Sequence, residues 1–321
     1  MQLLDSPENP VPEGARCEEL LTSDGVRLRY ARWSAAGGTR LGTVTIAQGR
    51  AEFIEKYFEV ISELRSRGFD VVAFDWRGQG GSQRLVRNRN KGHVGSFEEY
   101  KIDLRSILKS VVMAEYPGPH FILAHSTGCA VVLADSRRLR TMAERAVLCS
   151  PLVGLMDGGR RERLVFAFAK LLSLCGLSRM ALPRSAGNIV VPFDGNRQTR
   201  DPKRFARFQA CLEKRADLAV GPPTVGWLRS AVKTLLSFRT REFGPSMVLP
   251  SMVIASGADR IVSTRATEEL VSRMKAAGYI EIADAEHELL QERDVIRQQF
   301  WAAFDAFVPG QVKDDFHVSG H

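Results

Sequence analysis

The sequence predicts a protein of the α/β class, built on a mostly parallel central sheet with helices on both faces. Short apolar runs alternate with segments of helical periodicity along most of the 321 residues. Such alternation is typical of a parallel sheet whose crossovers cover both faces. The alternation stops over residues 155–245, which are rich in helical patterns, and then resumes. We therefore expect one large domain with a helical insertion that crosses the sheet as a lid.

The elements before the insertion follow from turn signals, caps and periodicity. An Asp-Gly pair followed by alternating apolar residues predicts a hairpin over 22–33. Ser96, with Glu99 three residues on, matches a capping box and begins a helix over 96–116. The other predicted elements are strands at 43–47, 70–75, 120–125 and 145–150 and helices at 53–68 and 127–139.

The elements after the insertion restore the same order. They are a strand and turn over 250–259, a helix over 264–277, a strand over 279–284 and a last helix over 289–307. Inside the insertion, only the short stretch 188–193 has the composition of a buried strand. The predicted domain limits are a discontinuous core of 17–154 and 246–308, an insertion of 155–245, and loose termini at 1–16 and 309–321.

The spacing of the cysteines and the hydropathy of the chain indicate the compartment in which the protein is expected. The five cysteines are scattered and form no CxxC or metal-finger spacing, which predicts a reduced compartment and no metal site. The N-terminus has neither the basic nor the apolar region of a signal peptide. No apolar run approaches the length of a membrane span. We expect a cytoplasmic protein.

Positive charge is concentrated in the insertion. Residues 155–245 hold 17 Lys+Arg against 7 Asp+Glu, a net charge of +10, whereas the whole chain carries +8. Such a basic lid either contacts an anionic membrane, at its inner face, or is a solvated surface. Nucleic acid is not an expected partner, because aromatic residues do not interleave with the basic ones and 205–215 has the pattern of an amphipathic helix.

A short polar stretch, Ala-His-Ser-Thr-Gly, separates two apolar runs at residues 124–128. A strand that leads into small-polar-Ser-polar-Gly and then into a helix matches a nucleophile elbow. The tight turn puts Ser126 above the edge of the sheet and aims the first helix amides at whatever the serine attacks. The alternative is an ordinary strand-to-helix junction in which Ser126 caps the helix.

A serine hydroxyl needs a base at neutral pH, and His287 is the best placed of the six histidines. It follows the last predicted strand and so lies at the carboxyl edge of the sheet, where Ser126 also lies. His125 is the neighbour of Ser126, but neighbours on a strand point to opposite faces.

An acid must orient this histidine, and Asp259 ends the preceding strand at the same edge. The rival acid, Asp284, is only three residues from His287 and is poorly placed to reach its ring. The order Ser, Asp, His along the chain is the one that this arrangement requires. Ser126, Asp259 and His287 are therefore the predicted catalytic residues.

An oxyanion hole needs two backbone amides. The N–H of Thr127 follows the serine directly. The second is expected from the loop after strand 43–47, where Gly49 allows a sharp turn and the N–H of Arg50 is the natural donor. The alternative is a plain strand-to-helix turn.

Six stretches of the chain resemble the group of α/β-hydrolases that includes monoacylglycerol lipase and bacterial lysophospholipase L2. They are QGRAE at 48–52, FDWRGQGGS at 74–82, SFEEYKIDL at 96–104, AHSTG at 124–128, SGADRIV at 256–262 and AEHELL at 285–290. The resemblance covers about residues 20–150 and 245–305. Gln48 stands in place of the group's histidine and Ala124 in place of its first glycine.

The resemblance implies an α/β-hydrolase fold and hydrolysis of a carboxylic ester, usually of a single-chain lipid, with no metal or cofactor. In the insertion, Phe166, Phe168 and Leu171 are candidates to line an acyl channel, unless this helix packs onto the core instead. Two other functions stay open. The same triad can hydrolyse an amide, as in a peptidase, or the fold can serve as a non-catalytic binding protein.

Overall fold

The computed structural model describes residues 2–155, 159–182 and 190–309, apart from the side chains of 159 and 160. In this part of the chain eight strands form one sheet in the order β1-β2-β4-β3-β5-β6-β7-β8. The strands are β1 (Arg16–Leu21), β2 (Arg27–Trp33), β3 (Gly42–Ala47), β4 (Phe69–Phe74), β5 (His120–His125), β6 (Arg145–Cys149), β7 (Ser251–Ser256) and β8 (Ala277–Ile282). Strand β2 is antiparallel to both its neighbours, and every pair from β4 to β8 is parallel.

Helices connect the parallel strands on both faces of the sheet. They are α1 (Phe58–Ser66), α2 (Phe97–Ile107), α3 (Met113–Glu115), α4 (Thr127–Leu139), α5 (Gly159–Leu174), α6 (Pro202–Lys214), α7 (Val225–Phe238), α8 (Phe243–Ser246), α9 (Thr264–Val271) and α10 (Asp294–Phe307). A π-helical turn, Leu108–Val112, joins α2 to α3. The predicted mostly parallel α/β architecture is confirmed.

The core lies on both sides of the sheet because successive strand residues point to opposite faces. On β4, Val72 packs in the same cluster as Leu104 of α2, whereas Val71 packs in a second cluster with Ile61 of α1 and Phe300 of α10. All these side chains are fully buried. The two covered faces explain why β3 and β4 are buried along their whole lengths.

The insertion between β6 and β7 contains α5 to α8. Helix α7 joins the same apolar cluster as the sheet through Trp227, Leu235 and Phe238. Helix α6 is attached to the core by Arg204, which is paired with Glu59 of α1. Among the described residues, no helix is both long and apolar enough to span a bilayer.

The N-terminal segment differs from the prediction that residues 1–16 are loose. Asn9 is buried, and its side-chain amide donates to the backbone oxygen of Glu55 (2.9 Å). The indole N–H of Trp33 donates to the backbone oxygen of Pro12 (3.0 Å). These buried groups need hydrogen-bond partners, and the segment supplies them. In the predicted C-terminal loose segment, residues 310–321 lie outside the described residues.

Several predicted elements, among them the helices at 53–68 and 289–307, have different limits in the structure. The described part of the predicted strand 188–193 is irregular. The helix predicted over 264–277 ends at Val271, and β8 begins at Ala277, two residues before the predicted start. The register of β8 on β7 requires this, because Ala277 and Gly278 lie opposite Ser251 and Met252.

Candidate active site

Ser126 lies at the sharp turn between β5 and α4. Its backbone has φ 49° and ψ −110°, a conformation that an L-residue adopts only when its surroundings enforce it. Gly128 allows the helix to come this close to β3, since a Cβ at this position would lie 2.1 Å from the oxygen of Ala47. The predicted elbow thus has the backbone geometry that exposes a nucleophile above a sheet edge.

The structure brings Ser126, His287 and Asp259 together in one hydrogen-bonded series. Ser126 Oγ is 3.0 Å from His287 Nε2, and His287 Nδ1 is 2.7 Å from Asp259 Oδ2. All three side chains are buried. Asp284, the rival acid, is exposed on the turn after β8. An acceptor at Nδ1 leaves Nε2 without a proton, ready to accept one from the serine.

The loop after β3 is held by side chains on either side of Arg50. The amide of Gly49 donates to Glu52, and that of Ala51 donates to Gln79. Ala51 has φ 63°, in the left-handed region. These bonds fix the backbone on both sides of Arg50, whose amide is the predicted oxyanion donor.

Arg50 and Thr127 both line a cavity that also contains Ser126 and His287. The Arg50 side chain extends under the lid, where it donates to the oxygen of Gly221 and lies 5.4 Å from the centre of the Trp227 ring. The two predicted oxyanion residues thus line the same cavity as the serine.

The cavity has a volume of about 370 Å³ and is apolar away from the serine. Helix α7 provides five of the eleven apolar lining residues, and the loops after β6 and β7 provide two each. The apolar lining residues are Ala51, Leu152, Leu155, Pro223, Trp227, Leu228, Ala231, Val232, Leu235, Ile261 and Val262.

The predicted acyl-channel residues lie elsewhere, which corrects that prediction. Phe166, Phe168 and Leu171 are on α5 and are not among the described lining residues. Phe168 is 64% exposed and Leu171 57%, while Phe166 is half-buried. The physical reason is that α7, rather than α5, is the lid helix whose apolar side chains pack in the same cluster as the sheet.

A buried cluster of charged groups beside the triad was not predicted. Glu52 accepts hydrogen bonds from Lys56 (2.9 Å), Tyr57 (2.6 Å) and His125 (2.8 Å), and Lys56 is also paired with Glu288. Burial opposes the charged form of Glu52, but Lys56 and His125 hold its pKa well below the usual value. Glu52, which ends the QGRAE stretch, was the one feature of the sequence that pointed to this cluster.

Three members of this cluster have the spacing of a metal site. Ligand atoms of Glu52, His125 and Glu288 lie within 4.8 Å of one another. The ammonium of Lys56, however, binds both carboxylates. Two carboxylates, one ammonium and an imidazolium balance without a metal ion, so the cluster is an ion-pair network.

With this geometry in place, comparison with known proteins identifies the family. A family model described as serine aminopeptidase, S33, matches residues 38–294. The chain belongs to this family. The resemblance to α/β-hydrolases seen in the sequence is thereby confirmed.

Individual relatives of this S33 family member carry lipid-hydrolase names. It is 28% identical to lysophospholipase L2 of Escherichia coli (strain K12) over 292 residues. The alignment covers 85% of this chain and 82% of that protein. It is 27% identical over 255 residues to monoacylglycerol lipase of Mycolicibacterium smegmatis, covering 78% of this chain and 81% of that one.

Solved structures show the same fold. A soluble variant of monoglyceride lipase from Saccharomyces cerevisiae, in complex with a substrate analog, superposes with a TM-score of 0.73 at 16% identity. The match covers 92% of this S33 chain and 96% of the yeast protein.

Proposed function

We propose that this protein is a serine hydrolase that cleaves carboxylic esters of single-chain lipids, lysophospholipids or monoacylglycerols, through an acyl-enzyme on Ser126. The observation that carries the proposal is the unbroken hydrogen-bonded series from Asp259 through His287 to Ser126 at the polar end of an apolar cavity. The names of the relatives, lysophospholipase L2 and monoacylglycerol lipase, support the same substrate class.

The reaction proceeds in two half-reactions. Ser126 attacks the ester carbonyl while His287 Nε2 takes the hydroxyl proton, and the amides of Arg50 and Thr127 bind the oxyanion. His287 then gives the proton to the leaving alcohol, and a water molecule deprotonated by His287 hydrolyses the acyl-enzyme. Asp259 stays ionised and keeps the imidazole in the required tautomer.

The apolar wall of the cavity favours a single acyl chain as the group bound next to Ser126. Its volume of about 370 Å³ lies at the lower end of the range of small-molecule sites. Gln198 and Glu288 add polar groups to the lining. If the acyl chain lies along α7, the polar head group of the substrate lies at the end of the cavity lined by Gln198 and Glu288.

A substrate panel tests the reaction. Wild-type protein and Ser126→Ala are compared on p-nitrophenyl esters of increasing chain length, on lysophosphatidylcholine and on monoolein, beside aminoacyl amides. We expect ester and lipid hydrolysis by the wild type only, and labelling of Ser126 by a fluorophosphonate probe. Hydrolysis retained in Ser126→Ala, or a label on another residue, would contradict the assignment.

Amide hydrolysis is the second candidate, since the matching family is described as serine aminopeptidase. The same triad can attack an amide carbonyl. Preference for aminoacyl amides over esters in this panel would replace the lipid ester proposal.

We further propose that the lid brings the enzyme to the inner face of an anionic membrane from the cytoplasm. Helix α5 exposes four large apolar side chains at helical spacing, and exposed Arg163 and Lys170 lie on the same helix. The four are Leu164, Phe168, Leu171 and Leu174. Such a combination is typical of a helix that lies in the membrane interface.

Vesicle co-sedimentation tests the membrane contact. We expect binding to vesicles with anionic lipid that weakens steeply as ionic strength rises, and loss of binding in a Phe168→Ser, Leu171→Ser double variant. Val295→Ser removes an equally exposed apolar residue from α10 and serves as the control. Binding insensitive to salt would rule out the electrostatic contribution.

A further inference from the structure

His125, the residue before the nucleophile, is surrounded by hydrogen-bond acceptors. Its Nδ1 is 2.8 Å from Glu52 Oε1, and its Nε2 is 3.0 Å from the backbone oxygen of His287. The ring is 2% exposed, and its centre lies 5.0 Å from that of the His287 ring. The side chain therefore lies between the oxyanion loop and the loop that carries the predicted base.

These contacts define the protonation state of the ring. A backbone carbonyl only accepts, so Nε2 must carry a proton. Glu52 already accepts from Gly49, Lys56 and Tyr57, which keeps it a carboxylate, so Nδ1 must also carry a proton. A histidine that donates from both nitrogens is an imidazolium.

The cluster as a whole joins two parts of the site. Glu52 accepts from Gly49, which precedes the predicted oxyanion donor Arg50, and Glu288, next to His287, is bound by Lys56. His125 bridges the two sides directly. Because the network includes a backbone atom of His287 and the side chain beside it, it holds the backbone that carries the His287 ring.

We propose that His125 is a positioning residue that acts at neutral pH as a buried imidazolium, holding the His287 loop and the oxyanion loop in register through Glu52. It does not touch the reacting atoms. The proposal rests on the proposed ester hydrolysis for its kinetic test only.

The electrostatic setting of His125 gives the proposal a pH signature. Burial alone would lower the pKa of His125, but Glu52 and Glu288 outweigh burial and raise the pKa to about 9. Above this pH the ring loses a proton and one of its two hydrogen bonds. The titratable and charged groups around the ring are Glu52, Lys56, Tyr57, Cys149, His287 and Glu288.

The first experiment measures the protonation state without using activity. In wild-type protein labelled with ¹⁵N-histidine, NMR should show both ring nitrogens of His125 protonated at neutral pH, with titration near pH 9. The signal is assigned by its absence from His125→Gln. A ring with a single proton at neutral pH would overturn the proposal, even if the protein hydrolysed no ester at all.

The second experiment measures the pH dependence of kcat/KM on a short soluble p-nitrophenyl ester. Wild type should show an alkaline limb with a midpoint near pH 9, reversible on return to neutral pH. His125→Gln cannot titrate, so its alkaline limb should vanish and its kcat at neutral pH should fall about 10- to 100-fold, with little change in KM. Glu52→Gln removes the negative charge that raises the pKa of His125, so the alkaline limb should move to lower pH.

His120→Gln is the matched control, because His120 begins the same strand at its far end. It should keep the wild-type pH profile, and thermal melting checks that each variant is folded. An alkaline limb that persists unchanged in folded His125→Gln would overturn the proposal. A wild type inactive on every ester would instead refute the proposed function and leave the NMR result to decide on His125.

Discussion

Asp259 uses its two carboxylate oxygens separately. Oδ1 accepts from the amides of Ile261 (2.7 Å) and Val262 (3.0 Å), which leaves Oδ2 to His287. Burial would raise the pKa of Asp259, but the bond to His287 and these two amides lower it below the ordinary value. A fixed, ionised acceptor therefore selects the histidine tautomer with its proton on Nδ1.

We expect Asp259→Asn to reduce kcat by about 10⁴-fold, because an amide at this position favours the wrong tautomer of His287. The variant should fold as the wild type, since the amide is nearly isosteric with the carboxylate. The measurement is steady-state hydrolysis of a soluble ester, with Asp284→Asn as control. A comparable loss in Asp284→Asn would mean that the acid has been assigned to the wrong aspartate.

The two longest lid helices have different tasks although both are rich in apolar residues. Helix α7 directs Trp227, Ala231 and Leu235 at the sheet and the cavity, whereas α5 leaves large apolar side chains in solvent. Glu162 of α5 is fully buried and paired with Arg239 (2.7 Å) at the end of α7, so a charged contact joins the two lid helices. We therefore expect α7, rather than α5, to select the acyl chain of the substrate.

We expect Ala231→Phe to shorten the acyl chain that the enzyme accepts. Ala231 is buried and lines the cavity, so a phenyl ring there fills space that a long chain needs. The ratio of kcat/KM for p-nitrophenyl octanoate to that for the butyrate should fall about tenfold. Phe166→Ala, on α5, should leave the ratio unchanged; the opposite pattern would restore α5 as the wall of the acyl channel.

The lid is joined to the rest of the molecule by an ion-pair network centred on Glu59 of α1. Its carboxylate is bound by Arg204 (2.6 Å) and Arg207 (2.8 Å) of α6 and by Arg297 (3.2 Å) of α10. Burial opposes ionisation, but the three guanidinium groups lower the pKa of Glu59 to about 2. This network attaches the basic insertion to the core domain.

Because its pKa is lower in the folded state, Glu59 stabilises the fold above its ordinary pKa of 4.5, and this contribution is lost as pH falls toward 2. We expect Glu59→Gln to lower the free energy of unfolding at neutral pH by about 1–3 kcal/mol. Urea denaturation at a series of pH values measures the free energy of unfolding. The difference in this free energy between the variant and wild type should shrink in acid.

Glu98→Gln is the control for this measurement, since Glu98 is exposed and is paired with Lys101 along α2. Its effect should stay within about 0.5 kcal/mol. A difference between Glu59→Gln and wild type that is constant from neutral to acid pH would show that the charge of Glu59 contributes nothing.

Local sequence patterns were enough to predict the α/β architecture and the residues at the sheet edge. Strand and helix periodicities are local, and the carboxyl ends of parallel strands meet at one edge, so Ser126, Asp259 and His287 could be brought together without coordinates. The catalytic role of these residues remains a proposal, but their juxtaposition follows from the order of the strands.

The lid helix that covers the cavity and the surroundings of His125 could be identified only in the folded molecule. Periodicity shows that a helix has an apolar face but not which neighbour the face meets, so α5 and α7 were indistinguishable in sequence. The bonds from His125 to Glu52 and from Lys56 to Glu288 join residues 73 and 232 positions apart. Such pairings leave no local pattern, because they are selected by the need to satisfy buried charges once the chain has folded.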